Sequence, residues 1–257
     1  MAITHLEFTV LTSLRAHGII TPGLNLLELG QSNWYGDVSV DEFEAEIRRL
    51  VGEADRRDLY LKKLAEAVAA QRATQLHEIA EIFWQAVLSP REYSAIDPGE
   101  TGSRWKFDLN LPVPIEQRFD LTMNIGTAEH IFNVWQFFKT AHERTASGGL
   151  MMHSNPFTGW PDHGFFNFQP TLFFDLALAN NYEILSFVIG RIKPFEYVQV
   201  RDREHVPQLI RAGKIPAGSH INVVYRKTGD GEFVVPMQGY YAGVLGKEGM
   251  RGWRELR

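Results

Sequence analysis

The chain has 257 residues, a net charge of -5, a hydrophobic share of 44% and an aromatic share of 12%. Such a composition suits a buried core and excludes a disordered chain, while the mild acidity offers no footprint for a phosphate backbone, so nucleic acid is not an expected partner. Cysteine is absent, which excludes disulfide scaffolds, thiol catalysis and cysteine metal sites. No basic segment followed by an apolar one opens the sequence, and no apolar run reaches membrane-spanning length. A cytoplasmic protein without membrane contact is therefore expected.

The pattern along the chain predicts a short helical lead-in over residues 5–20, ended by Thr21-Pro22-Gly23, and then a first strand, Leu24–Leu29. That strand breaks at Gly30, a residue free to take positive φ and let a ligand lie against the main chain. From about Val40 to Leu88, apolar residues recur at helical spacing, as in Phe43, Ile47, Leu50, Val51 and Ala54. Two or three amphipathic helices are expected here, too many for a single crossover, so part of the segment reads as a helical insertion or cap over about 40–90. Short strands follow at Tyr93–Ile96, Arg104–Phe107 and Leu121–Asn124, then a helix over about Glu129–Ala146 stopped by Gly148-Gly149, and a fifth strand at Leu150–His153. An aromatic loop, Ser154–Phe168, leads into a helix starting near Gln169-Pro170. Two long strands, Glu183–Ile192 and His220–Lys227, and a C-terminal strand at Phe233–Met237 complete the series. Strands alternating with helices predict an α/β fold with a largely parallel sheet covered on both faces, formed by one domain spanning 1–257.

In such a sheet ligands bind outside the carboxyl ends of the strands, near the point where strand order reverses. Polar residues stand at these ends in register. Glu28 precedes the first loop. Asp97 ends the second strand, where a carboxylate can accept both hydroxyls of a ribose. Asp108 ends the third, where it can accept from an exocyclic amine. Asn124 and Gly126 end the fourth and flank the ligand's other end. Taken singly, each of these residues is also a common turn former or helix cap.

Together these residues resemble a class I S-adenosylmethionine-dependent methyltransferase. Leu27-Glu28-Leu29-Gly30 resembles the first motif, Ala95-Ile96-Asp97 the strand with the ribose-binding acid, and Phe107-Asp108-Leu109 the segment that contacts adenine. Phe119–Asn124 with Glu129-His130 resembles the fourth strand and the start of its helix, and Gly148-Gly149-Leu150 the turn into the fifth. The resemblance covers about residues 22–228. It implies a Rossmann-like, seven-stranded, mostly parallel sheet with the last strand antiparallel, a helical insertion after the first strand, and S-adenosyl-L-methionine as cofactor. It implies that Glu28, Gly30, Asp97, Asp108, Leu109, Asn124 and Gly126 line the cofactor. The family often has Gly-x-Gly-x-Gly in the first loop, whereas this chain has Gly30-Gln31-Ser32-Asn33-Trp34-Tyr35-Gly36, so close backbone approach rests mainly on Gly30. The side-chain amides of Gln31 and Asn33 are able to reach the cofactor's amino-acid end.

The loop Met152–Pro170 follows the fifth strand, on the rim where a small-molecule acceptor would sit. Histidine titrates near neutral pH and suits removal of a proton from an acceptor hydroxyl or amine. His163, beside Asp162 and Gly164, is the first candidate base and His153 the second. His130, Phe157, Trp160, Phe166 and Asn167 are the expected acceptor contacts, although aromatics in a loop also serve as core packing. His130, His153, Asp162 and His163 match no recognised metal spacing, and no metal is expected. Three readings follow. The first is methyl transfer to the oxygen or nitrogen of a small molecule. The second is a protein of the same fold that binds S-adenosylmethionine without methylating, as a rearrangement or elimination catalyst or a pathway interaction protein. The third is an interaction protein that forms a homodimer through the helices of 40–88.

Overall fold

A computed structural model describes residues 2–70, 74–99 and 102–255. The chain begins with a short strand, β1 (Ala2–Ile3), and a helix, α1 (His5–Ala16), opened by a capping box in which Thr4 and Glu7 satisfy each other's backbone groups. Next come β2 (Asn25–Leu29), β3 (Asn33–Trp34), α2 (Val40–Leu50), α3 (Ala54–Ala69) and α4 (Gln75–Phe83), the last continuing through a π turn over Trp84–Leu88. β4 (Glu92–Ile96) and β5 (Phe119–Ile125) lead to a 3-10 turn at Ala128–His130 and α5 (Val134–Arg144). β6 (Thr145–Pro156), α6 (Pro170–Asn180), β7 (Tyr182–Arg191), β8 (Glu196–Gln199), α7 (His205–Arg211) and β9 (Ser219–Lys227) follow. Two short helices, α8 (Gly239–Val244) and α9 (Lys247–Glu255), close the described chain. Among the described residues, no helix is long and apolar enough to cross a membrane.

Seven strands form one sheet in the order β4-β2-β5-β6-β9-β7-β8. β4, β2, β5 and β6 pair in parallel, and β9 lies antiparallel between β6 and β7. This is the Rossmann-like arrangement that the strand pattern predicts, with helices on both faces. Leu26, Leu121, Met123, Leu150, Met152 and Val224 face the layer of α1 to α4. Leu27, Leu29, Phe119, Met151, Val223 and Tyr225 face the layer of α5 to α7. Phe8, Trp34, Phe43 and Phe83 meet edge-on and stacked within the first layer, each burial contributing roughly 1.5–3 kcal/mol. Leu64 and Ile79 are buried in the same core, whereas Val68 and Leu76 of the same apolar stripes are exposed.

Four expectations need correction. Arg104–Phe107 is no strand: a single bridge joins Trp105 to Ile96, because Asp108 at once turns the chain, its carboxylate accepting from the Asn110 N–H at 2.8 Å. The seventh strand is instead β8, a hairpin partner of β7. Phe233–Met237 also forms no strand; both edges of β9 are already paired, and the Asn180 amide binds both the N–H and the carbonyl of Val234 instead. The helix expected from Glu129 starts at Val134, where Asn133 caps it by accepting from Gln136 N–H at 3.3 Å. It ends at Arg144, leaving Gly148 and Gly149 inside β6. A further pairing lacked any sequence signal: β1 runs parallel to β3 and draws the N-terminal segment across the loop after β2.

Candidate functional site

Strand order reverses between β2 and β5, and β2 carries the chain into that point. Gly30 takes φ +91°, and its N–H donates to the Ile96 carbonyl at 2.8 Å. Two more N–H groups converge on the buried Asp97 carboxylate, from Gln31 at 3.0 Å and Gly99 at 2.8 Å. Each carboxylate oxygen keeps a second lone pair. The Thr127 hydroxyl donates to the Leu29 carbonyl at 2.6 Å and ties the ends of β2 and β5 together.

Glu28 is only 1% exposed and accepts from the Tyr93 hydroxyl. Burial pushes its carboxyl up to about 7. Between the loop, α4 and β4 lies a cavity of about 290 Å³ lined by Gln31, Ser32, His77, Trp84 and Tyr93 among others. Around it, Gln31 Oε1, Ser32 Oγ, His77 Nδ1 and Trp84 Nε1 are buried without a hydrogen-bond partner, as is Glu28 Oε1. A buried polar atom without a partner costs about 1–3 kcal/mol, so the cluster is suited to a polar ligand that satisfies it.

A second cavity, of about 150 Å³, opens at the carboxyl ends of β5 and β6 and the start of β9. Its walls include Thr4, Glu7, Gly126, Glu129, His130, Ser154, Trp160, His163 and His220. Glu129 Oε1 lies 3.8 Å from His163 Nε2. The Asn155 amide donates to Glu129 Oε2 at 2.8 Å, and the Asn124 amide donates to Asn155 Oδ1 at 2.9 Å. Asn124 Oδ1 in turn accepts from the N–H groups of Thr127 and Ala128, which fixes the turn carrying Glu129.

The rings of His130 and Trp160 both lie 5.1 Å from that of His163, and His220 stacks obliquely on Trp160 at 4.5 Å. Burial pushes Glu129 up to about 7 and lowers His130. Burial, reinforced by the nearby His163, pushes His220 down to about 4. Gly164 explains how the loop seats so closely. A Cβ there would stand 2.8 Å from the Glu129 carbonyl and 3.1 Å from His130 Nδ1, while the Phe165 N–H donates to that carbonyl at 2.7 Å.

The structure thus gathers His130, Trp160, His163 and Gly126 into one cavity and Gln31 into the other. It places His153 apart from both: on β6 it faces Phe138, Phe173 and Tyr225 in the interior, and burial holds it down to about 3. Phe157 is buried in the core and Phe166 packs against it, whereas Asn167 is exposed. Asp108 is exposed beside its own turn, Leu109 is buried in the second core, and Asn33 sits in β3. Asp162 is exposed at φ +59°. Sequence reasoning did not single out Glu129, Ser154 or His220 as site residues. The signal for Glu129 was an adjacent acid–histidine pair just past a strand end; for His220 it was a position opening the strand that runs against its neighbours.

No family model matches the chain, and a search of curated proteins finds no match. Solved structures do resemble it at low identity. TehB from Haemophilus influenzae shares 12% identity over 83% of this chain, with a TM-score of 0.41; the chain spans 60% of TehB's length. A SAM-dependent methyltransferase from Archaeoglobus fulgidus shares 12% over 86% of this chain and 94% of its own, with a TM-score of 0.44. Coclaurine N-methyltransferase, bound to N-methylheliamine and SAH, shares 12% over 87% and 74%, with a TM-score of 0.40. The strand order itself shows a Rossmann-like fold, a mostly parallel sheet whose order reverses between β2 and β5, with β9 antiparallel between β6 and β7.

Proposed function

We propose that the protein transfers a methyl group from S-adenosylmethionine to the oxygen or nitrogen of a small-molecule acceptor, with His163 as the general base. The observation that carries this reading is the pair of cavities flanking one strand crossing, the first rich in unpartnered polar atoms and the second in imidazoles. The residues at the crossing fit the cofactor. Asp97 retains lone pairs for ribose hydroxyls, Ser32 Oγ and Gln31 Oε1 lack partners, and Gly30 leaves the main chain bare.

When bound, S-adenosylmethionine supplies an electrophilic methyl group on a sulfonium. The chain's part is to hold acceptor and donor in line and to take the acceptor's proton. His163 Nε2 faces Glu129, which leaves Nδ1 for that proton. Trp160 and His220 wall the acceptor, and Asn124 with Asn155 keeps Glu129 in place. Calorimetric titration with S-adenosylmethionine and S-adenosylhomocysteine tests the reading. Binding of both is expected; no heat from either, with the protein folded by circular dichroism, overturns it.

A second reading keeps the cofactor but not the transfer. It is favoured by the first loop, which has no glycine between Gly30 and Gly36 and holds Asn33 in β3. Tight binding with no S-adenosylhomocysteine formed across a panel of phenol, amine and carboxylate acceptors would select it.

A further inference from the structure

We propose that Glu129, His130 and His163 bind a divalent first-row transition ion at the mouth of the second cavity. One ligand atom from each of the three lies within 4.8 Å of the others, and Glu129 Oε1 and His163 Nε2 are already 3.8 Å apart. Such ions hold imidazole nitrogen and carboxylate oxygen at about 2.0–2.2 Å, so tetrahedral neighbours stand roughly 3.4 Å apart. Small side-chain rotations close that difference. Two imidazoles and a carboxylate are the donor set that suits zinc, iron, cobalt or nickel over magnesium or calcium.

Independent features of the surroundings point the same way. Asn155 holds Glu129 Oε2 at 2.8 Å, leaving Oε1 directed at His163, and Asn124 orients Asn155 in turn. Outer hydrogen bonds of this kind orient metal ligands. The two ligand-bearing segments are locked together: only a glycine fits at position 164 against Glu129 and His130, and the Phe165 N–H clamps the Glu129 carbonyl. A carboxylate buried to 1% exposure is costly, and a bound cation offsets that cost.

Three protein ligands leave a position open toward the cavity. The inference deepens the reading of that cavity as the acceptor site and rests on it for the following step only. An acceptor hydroxyl coordinated there loses its proton to water more readily, its oxygen staying on the ion. With Nε2 on the ion, the neutral imidazole would carry its one proton on Nδ1, so the acceptor's proton would go to solvent and His163 would serve as a ligand; its role as general base belongs to the metal-free protein.

Metal-stripped full-length protein titrated with Co²⁺ tests the site without cofactor or acceptor. The expected result is visible ligand-field absorption that saturates at one equivalent. Tryptophan fluorescence should be quenched in parallel, since Trp160 lies beside His163. His130→Ala, on an exposed side chain, and the near-isosteric Glu129→Gln should each weaken binding at least about 10-fold. His17→Ala, an exposed histidine on the far end of α1, should not change it. Absence of saturation, or an unchanged Kd in both ligand variants, overturns the proposal. Co²⁺ binding together with silent S-adenosylmethionine calorimetry would leave the metal site standing and remove the methyl-transfer reading.

Discussion

The two cavities beside the strand crossing are built on opposite principles. At the Gly30 side the main chain is saturated with hydrogen bonds, from Gly30 to Ile96, Gln31 to Asp97 and Thr127 to Leu29, while the side chains around the cavity are left short of partners. At the Glu129 side the carboxylate is engaged through Asn155 and Asn124, Trp160 Nε1 is the one wall atom buried without a partner among the described residues, and the loop that supplies His163 is held by backbone contacts at Gly164 and Phe165. The first region is a rigid frame with open valences, suited to binding. The second is an arranged set of titratable groups, suited to chemistry. Substitutions should therefore separate affinity from rate.

The largest effect is expected at the second region. His163→Gln should lower turnover by about 100- to 10,000-fold while leaving the urea midpoint nearly unchanged, because the side chain is exposed. Steady-state rates together with urea unfolding check both halves. Asp97→Ala should do the reverse. Loss of the acceptor for two N–H groups should destabilise by about 2–3 kcal/mol and weaken cofactor binding about 100-fold in calorimetry. An intact affinity would detach the first cavity from the cofactor.

Gly164→Ala is expected to cost about 1–3 kcal/mol by forcing the loop off Glu129, with a loss of turnover that exceeds its effect on cofactor affinity. Equal effects on both would erase the contrast between the regions.

pH sharpens it further. Glu28 and Glu129, raised from 4.5 to about 7, bind protons more tightly folded than unfolded, so their contributions are lost as pH rises from about 4.5 to 7. His153 and His220, lowered from 6.5 to about 3 and about 4, act oppositely: their contributions are lost as pH falls below 6.5. Glu28→Gln should accordingly raise stability by about 1–2 kcal/mol at pH 8 and leave it little changed at pH 4, as read from urea midpoints. The smallest effect belongs to Asp108→Ala. On an exposed turn it should move stability by less than about 0.5 kcal/mol, and cofactor affinity by less than 10-fold.

Much of the frame was legible in the sequence because it rests on local signals. The apolar run into Gly30, the helical spacing over 40–88 and the Pro170 helix start correspond to β2, α2 to α4 and α6. What failed depended on partners distant in the chain. Arg104–Phe107 has strand-like alternation, yet a strand needs a neighbour, and only Trp105 finds one. Phe233–Met237 has the composition of a strand but meets a sheet with no free edge at β9. The site was legible to a similar degree. His163, Trp160 and His130 announce themselves by residue type and share a cavity, while His153, of identical chemistry, turns inward because alternate residues of β6 face opposite layers. Glu129 owes its place to the local turn held by Asn124 and also to Asn155 and Gly164, both far along the chain.

The loop bearing Trp160 and His163 is fastened at its base as well as its tip. Phe157 N–H donates to the Ser219 carbonyl, Phe168 N–H to the Pro156 carbonyl, and Phe165 N–H to Glu129. Between these fastenings the Thr158 hydroxyl is tied to Pro216 and Ser219, and Trp160 is held by its ring contacts with His163 and His220. The loop is therefore a faceplate bolted at several points along its length. Gly159 is fixed in it, because a Cβ there would stand 2.8 Å from the Gly218 nitrogen, whereas the indole N–H of Trp160 has no hydrogen-bond partner and lines the second cavity. A change at Trp160 thus alters the wall of that cavity without cutting any of the bonds that hold the loop in place.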